Sequence, residues 1–317
     1  YFKNAGVDVM AFDDIYPEGH QGGVCIIMNG HRVATNGDIR LEATPGQWQP
    51  VPKQIGREVG QNSITATMMY PDSTRHLTGF NPMIYPDLNL TYKVRVEAKG
   101  NQIEVTVDLD SPIPDYLIGK AGFNLEFFPG SLFGKPWLMD DKSGIYPQQP
   151  NSPLLELQPN HLHTGDYHDG KSSLADMEHL IDKGYSPIVA DDIIAEPYAV
   201  GRKFTSRPDD PFSKVTIESL TGDLKLYDGR MNHNNGWFVL RSEIKAGATK
   251  GAVKWIITPA IEQDWIYKPV IQTSQIGYHP DQEKVAIIEL DERDAKRPVA
   301  ELVRIDADGE KVVKRMQ

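Results

Sequence analysis

The stretch "TYKVRVEAKGNQIEVTVDLD", Thr91–Asp110, decides the fold class of this 317-residue chain. Apolar Val94 and Val96 alternate with charged residues, and the alternation resumes at Ile103 after the pair Gly100–Asn101. A period of two on both sides of a Gly-Asn pair is typical of a β-hairpin with one buried face and one hydrated face. The stretch therefore predicts two antiparallel strands.

Similar alternating segments, such as "AGFNLEFF", recur along the chain between turn signals. This pattern predicts an all-β fold, a large β-sandwich or supersandwich. One short helix is expected in "KSSLADMEHLIDKGYSP", because Leu174, Met177 and Leu180 fall on one helical face. Ser173 can cap its N-terminus and Gly184 can close its C-terminus.

Composition excludes several classes of partner. The net charge is −11, and no concentrated basic cluster is present, so nucleic acid is not an expected partner. No apolar run approaches the ~18 residues that span a bilayer, so membrane insertion is not expected. The single cysteine, Cys25, lies among aliphatic residues and is predicted to be a buried small hydrophobe.

Two domains are predicted, with a boundary in "PAIEQDWIYKPVIQTSQ". Residues 1–266 would form the large β-sandwich, and residues 267–317 would form a linker and the first strands of a further module. A segment of that length cannot bury an adequate core alone. It is expected either to dock on the large domain or to be the front part of a longer module.

The segment "TSQIGYHPDQEKVAII" in this C-terminal part resembles the first strand pair of the immunoglobulin-like module that precedes the catalytic domain in many family 9 glycoside hydrolases. Ile276 and Tyr278 would pack inward there, and Gly277 would allow a bend. Residues before it are similar to the N-terminal extension of multidomain family 9 enzymes from gut and rumen Bacteroidetes. The matching positions are Gln275, Ile276, Gly277, Tyr278, Pro280, Lys284 and Val285.

The resemblance implies the N-terminal part of a longer, exported polysaccharide-degrading enzyme, similar to an endo-β-1,4-glucanase. Its expected partners are plant β-glucan or the downstream catalytic domain. Family 9 catalysis uses a "DAGD"-type motif and a distant Glu acid on a helical barrel. No D-x-G-D motif occurs in these 317 residues. No catalytic residue is therefore assigned, this fragment is expected to be non-catalytic, and no cofactor is required.

Carbohydrate contacts are expected from aromatic loops. Two tryptophans lie in Pro/Gly-rich loops, where an exposed indole could stack on the apolar face of a sugar ring. A third follows "RMNHNNG", whose amides could bind hydroxyls, although it could also be a core residue. The candidate set is Trp48, Trp137, Trp237, Asn232, His233 and Asn235.

Two segments could bind a metal ion, although a polar surface loop is the simpler interpretation of both. In "NHLHTGDYHDG", two histidines spaced by two residues would point the same way on a strand. In "LMDDKSG", adjacent carboxylates could bind a structural calcium ion. The candidate ligands are His161, His163, His168, Asp140 and Asp141.

Two other functions remain open. Large β-supersandwiches also occur in sugar mutarotases and polysaccharide lyases, in which His and Glu or Tyr transfer protons. In such an independent enzyme, His233 with Glu218, or the His161 cluster, would be the reactive groups. The third possibility is a purely structural spacer without a ligand.

Overall fold

The computed structural model describes residues 5–12, 23–41, 45, 52–70, 88–153, 195–231, 236–294 and 299–316. The chain divides into two compact units, Tyr1–Gln263 and Asp264–Gln317. The described residues are nearly all β-strand, and all strand pairs are antiparallel, which confirms the prediction of an all-β sandwich. The expected helix in residues 171–187 lies outside the described residues.

Two large sheets make up the first unit. In spatial order, the seven-stranded sheet contains β1 (Val7–Ala11), β2 (Val24–Met28), β3 (His31–Arg40), β8 (Gly122–Phe127), β15 (Phe238–Glu243), β14 (Leu224–Asp228) and β11 (Ala199–Gly201). The nine-stranded sheet contains β10 (Lys142–Ile145), β9 (Pro136–Met139), β12 (Lys203–Ser206), β13 (Val215–Ser219), β16 (Val253–Pro259), β7 (Gln102–Leu109), β6 (Thr91–Lys99), β5 (Ser63–Met69) and β4 (Lys53–Val59).

Helical structure in the described residues is limited to short 3₁₀ turns, at Asp115–Leu117, Pro129–Ser131 and Gly229–Met231. Among these residues, no helix has the length and hydrophobicity needed to cross a membrane.

The predicted hairpin is confirmed as β6 and β7. Lys99 pairs with Gln102 across the turn, and Gly100 has a φ of +59°, a conformation that favours glycine. Val94 and Val96 are buried in the core, whereas Arg95 between them is exposed to solvent. The apolar face of the hairpin therefore packs inward.

Apolar side chains from both sheets fill the space between them. The rings of Phe123 on β8 and Trp255 on β16 meet edge to face, with centroids 5.0 Å apart. Trp255 is fully buried, and its indole N–H donates a hydrogen bond to Ser242 Oγ on β15 at 2.9 Å. The largest core side chain is thus fixed by packing and by a polar contact between the sheets.

The outer faces of the two sheets differ. On the nine-stranded sheet, Lys93 and Arg95 are exposed, and Lys99 pairs with Glu104 at 2.8 Å. On the seven-stranded sheet, by contrast, every residue of β8 is buried, on both faces of the strand. The outer face of the seven-stranded sheet is therefore covered at β8, although Asn124 and Glu126 on that face are polar.

The second unit contains two separate two-stranded ribbons. These are β17 (Val270–Gln272) with β18 (Ile287–Glu289), and β19 (Ala300–Asp306) with β20 (Gly309–Met316). The inward packing expected for Ile276 is wrong, because its side chain is 99% exposed. Gly277 has a φ of +84°, as expected for a bend, and the Tyr278 hydroxyl donates a hydrogen bond to the Val285 carbonyl.

A polar contact joins the two sheets of the first unit at the end of β3. Tyr92 on β6 donates a hydrogen bond to Asp38 Oδ1 at 2.8 Å, and Tyr70 donates to the carbonyl of Ile39 at 2.8 Å. Burial raises the pKa of Asp38 to about 6, although Arg40 and the hydrogen bonds that Asp38 accepts from Tyr92 and from the backbone N–H of Ile39 oppose the shift. The ionised carboxylate is thus held in an environment that favours its protonated form.

Asp38→Asn is expected to remove a pH dependence of stability. Because the pKa of Asp38 is higher in the folded chain than in the unfolded chain, protonation stabilises the fold, and this contribution is lost as the pH rises through about 6. Between pH 4 and pH 7 the free energy of unfolding of the wild type should fall by up to ~3 kcal/mol relative to that of the variant. This figure corresponds to ~1.4 kcal/mol for each unit by which the pKa of Asp38 differs between the folded and the unfolded chain. Urea unfolding across this range measures the difference. Asp115→Asn, at an exposed position, is the control, and parallel pH profiles for wild type and Asp38→Asn would contradict the prediction.

Candidate functional site

A cleft of about 520 Å³ opens at one end of the sandwich. It is lined by the turn between β2 and β3, by the segment that follows β8, and by the loop between β12 and β13. The first two belong to the seven-stranded sheet and the third to the nine-stranded sheet. The cleft therefore lies where the two sheets separate.

An aromatic pair forms the wall on the side of the seven-stranded sheet. Phe128, directly after β8, lines the cleft, and Trp237, directly before β15, packs edge to face behind it with centroids 4.0 Å apart. The guanidinium carbon of Arg32 lies 6.0 Å from the centroid of the Phe128 ring. Phe128 is thus held by a ring on one side and by a cation on another.

The opposite wall presents an exposed ring on a stiffened loop. Phe212 is 54% exposed, and its backbone N–H donates a hydrogen bond to Asp210 Oδ1 at 2.9 Å. This bond is the main reason that the pKa of Asp210 is lowered. Arg207 contacts both Asp209, at 3.0 Å, and Asp210, at 2.9 Å. The adjacent carboxylates therefore brace the loop that carries Phe212.

The cleft offers rings, hydroxyls and cationic groups. Ser131 and Ser213 contribute hydroxyls, and none of the described residues that line the cleft is Asp or Glu. The guanidinium of Arg207 is paired with both aspartates of its own loop. Such a lining suits a ligand that stacks on rings and forms hydrogen bonds through hydroxyls.

A separate group of polar side chains lies buried on the outer face of the seven-stranded sheet, along β8. On β8, Phe123, Leu125 and Phe127 belong to the core, so the residues between them face the other way. Four buried side chains on this face and at the adjoining part of β3 form what we term the polar row: Asn36, Asn124, Glu126 and Arg241.

Two close hydrogen bonds organise the polar row. Asn36 Nδ2 donates to Glu126 Oε2 at 2.7 Å, and Arg241 Nε donates to Asn124 Oδ1 at 2.7 Å. Gly122 lies against the aliphatic part of Arg241, since a Cβ at Gly122 would come within 2.9 Å of Arg241 Cγ. A glycine is therefore required for Arg241 to lie across β8.

One predicted carbohydrate contact is wrong in its premise. Trp137 was expected on an exposed loop, but it lies on β9, is 6% exposed and belongs to the core. Its ring packs so closely on Gly144 of β10 that a Cβ there would come within 2.3 Å of Trp137 Cζ2. The indole has no free face on which a sugar could stack.

Trp237 is the predicted contact that the structure places beside the cleft, as the partner of Phe128. The other predicted carbohydrate and histidine positions lie outside the described residues and remain predictions: Trp48, Asn232, His233, Asn235, His161, His163 and His168. Glu218, the suggested partner of His233, is exposed on β13 of the nine-stranded sheet.

The expected calcium ligand Asp140 has a structural role. It occupies the turn between β9 and β10, and its two carboxylate oxygens accept the backbone N–H groups of Arg202, at 2.8 Å, and Lys203, at 2.9 Å. Asp141 next to it is exposed. Among the described residues, no group of three or more His, Cys, Asp or Glu side chains is placed to hold a metal ion.

Sequence reasoning missed Phe128, Phe212 and the polar row. Phe128 ends the strand "AGFNLEFF", and Phe212 follows "RPDDP", so each is an aromatic residue beside a turn signal. In the same strand, Asn124 and Glu126 have the pattern of a hydrated face. Only the burial of that face distinguishes them from ordinary surface residues.

Comparison with known proteins identifies no family. No protein-family model and no curated protein matches the chain. Among solved structures, the chain is similar to the Slr1438 protein from Synechocystis, with 10% identity, coverage of 81% of this chain and 93% of the other, and a TM-score of 0.35. A second structure, HI1317, shows 8% identity, coverage of 80% and 98%, and a TM-score of 0.31. Likenesses this weak carry no argument about function.

Trp137→Ala is expected to destabilise the first unit by ~3–5 kcal/mol, as a core truncation does. The ring fills the space over Gly144, and its loss leaves a cavity between β9 and β10. Urea unfolding measures the change. Leu138→Ala is the matched control, because Leu138 lies on the same strand but is 39% exposed. This variant should lose much less free energy of unfolding than Trp137→Ala. Equal losses for the two variants would contradict the buried position of Trp137.

Proposed function

We propose that this chain is a non-catalytic accessory region of an exported β-glucan-degrading enzyme, and that its large sandwich binds glycan at the cleft. The observation that carries the proposal is the pairing of an exposed, braced ring, Phe212, with the Phe128–Trp237 pair across one cleft. Sugar rings present apolar C–H faces to such aromatic groups and hydroxyls to neighbouring polar groups.

Support for a glycan ligand also comes from the chemistry of the cleft. Aromatic rings favour neutral hydroxyl-rich ligands, and the serine hydroxyls and Arg32 provide hydrogen-bonding groups at the edges. The net charge of −11 disfavours long polyanions such as acidic pectins. A neutral plant β-glucan is rich in hydroxyls and carries no charge, so it suits both the lining of the cleft and the net charge of the chain.

The accessory role is supported by the resemblance of residues 273–288 to the immunoglobulin-like module of family 9 glycoside hydrolases. Two-carboxylate hydrolysis requires a pair of acidic groups about the scissile bond. The described lining of the cleft offers rings and hydroxyls instead. The proposed assignment is therefore binding by this region and hydrolysis by a domain elsewhere in the parent enzyme.

Phe212→Ala is expected to weaken binding to mixed-linkage β-glucan and to hydroxyethyl cellulose about fivefold or more. Loss of a stacked ring removes roughly 1 kcal/mol, which corresponds to about a fivefold change in affinity. Because Phe212 is more than half exposed, the melting temperature should change little. Affinity electrophoresis in gels containing each polysaccharide measures the retardation.

Tyr116→Ala is the matched control for this experiment. Tyr116 is also an exposed aromatic residue, at 39%, but it does not line the cleft. Its variant should migrate like the wild type. If the wild type is not retarded by any glucan, the binding function is refuted and the spacer alternative is favoured. If both variants lose retardation equally, binding does not occur at the cleft.

A further inference from the structure

The strand β4 lies at one edge of the nine-stranded sheet, where β5 is its only neighbour among the described strands. Of its seven residues, all except Gly56 are exposed to solvent. Ile55 is 50% exposed and Val59 is 69% exposed, whereas Ala66 and Met68 on the neighbouring β5 belong to the core. An exposed edge strand of this kind presents a row of backbone groups with which another strand can pair.

The hydrogen bonds around β5 show which backbone groups of β4 point toward this edge. The N–H of Ala98 on β6 donates to the Asn62 carbonyl at 2.8 Å, and the N–H of Gly60 donates to the Ser63 carbonyl at 2.7 Å. Because backbone direction alternates along a strand, the even-numbered residues of β5 bond to β6. Their partners on β4 therefore direct their N–H and C=O groups to the edge. These partners are Gln54, Arg57 and Val59.

A β-bulge in β4 leaves this edge regular. The register against β5 shifts between Gln54 and Gly56, so Ile55 is the extra residue. Gln54 and Arg57 are three positions apart in sequence, but they lie opposite residues of β5 that are only two positions apart. The bulge therefore keeps the edge-facing backbone groups evenly spaced.

Charge selects one symmetric way of pairing two copies of β4. In a twofold antiparallel pair, edge-facing residues lie opposite edge-facing residues. A pair centred on Arg57 would place two arginines opposite each other, and a pair centred between Arg57 and Val59 would do the same to Glu58. A pair centred between Gln54 and Arg57 instead places Lys53 opposite Glu58 of the second copy, twice. Opposite charges in these positions attract, and like charges repel.

The side chains of Lys53 and Glu58 are suitably placed for this contact. They lie opposite Met69 and Thr65 of β5, which alternate with its core residues, so both side chains are on the outer face of the sheet. In the selected register they form a non-hydrogen-bonded pair, in which side chains approach most closely. Neither side chain forms an ion pair with another described residue.

We infer that β4 is a contact surface for a second copy of this chain. The two copies of β4 pair antiparallel about a twofold axis and join the two nine-stranded sheets into one continuous sheet. Two Lys53–Glu58 ion pairs fix the register, and Ile55, beside the axis, becomes partly covered. No residue of β4 lines the glycan cleft, so this inference does not depend on the proposed function.

Sedimentation velocity of the full chain tests the pairing. Because an edge-to-edge contact is at the weak end of protein interfaces, concentrations from about 10 μM to 1 mM are used. We expect the sedimentation coefficient to rise with concentration as the dimer forms. Glu58→Lys places lysines opposite each other and should raise the dimer dissociation constant about tenfold or more. Adding Lys53→Glu to this variant recreates two pairs of opposite charge and should restore the dimer.

Glu218→Lys is the matched control. Glu218 is exposed on β13, within the sheet, and its replacement changes the net charge by the same amount as Glu58→Lys. This variant should dimerise like the wild type, and all variants should keep the melting temperature of the wild type. A wild type that is monomeric at every concentration would overturn the inference. A dimer that Glu58→Lys leaves intact, or a folded double variant that stays monomeric, would also overturn it.

Discussion

The alternation of side chains along β8 is the constraint on which the rest of this structure depends. Phe123, Leu125 and Phe127 face the core, where Phe123 meets Trp255 of the opposite sheet. The same register directs Asn124 and Glu126 to the outer face, and a slip by one residue would exchange the two sets. Core packing thus fixes the position of the polar row, and the end of the same strand places Phe128 at the cleft.

The two sheets have different tasks in this arrangement. The nine-stranded sheet has a charged outer face in contact with solvent, and it supplies the braced loop of Phe212. The seven-stranded sheet is covered on both faces near β8 and supplies the aromatic pair and the polar row. A glycan at the proposed site would contact groups from both sheets, and the core behind the cleft holds its walls in place.

The sequence alone was sufficient to predict an element where the alternation of residues agrees with the actual environment of the side chains. The hairpin of β6 and β7 could be predicted because its polar face is hydrated and its turn requires Gly100. Trp137 could not be placed, because the strands of its hairpin have four residues each, and proline and glycine suggested a loop. The polar row was missed because alternation does not distinguish a hydrated polar face from a covered one. Phe212 was missed because its position depends on hydrogen bonds within an irregular loop.

The most direct test of this account is a crystal structure of the chain grown with cellotetraose. The account predicts a sugar ring stacked against Phe128 or Phe212 in the cleft. A cleft without sugar, or sugar bound only at places away from both rings, would contradict it.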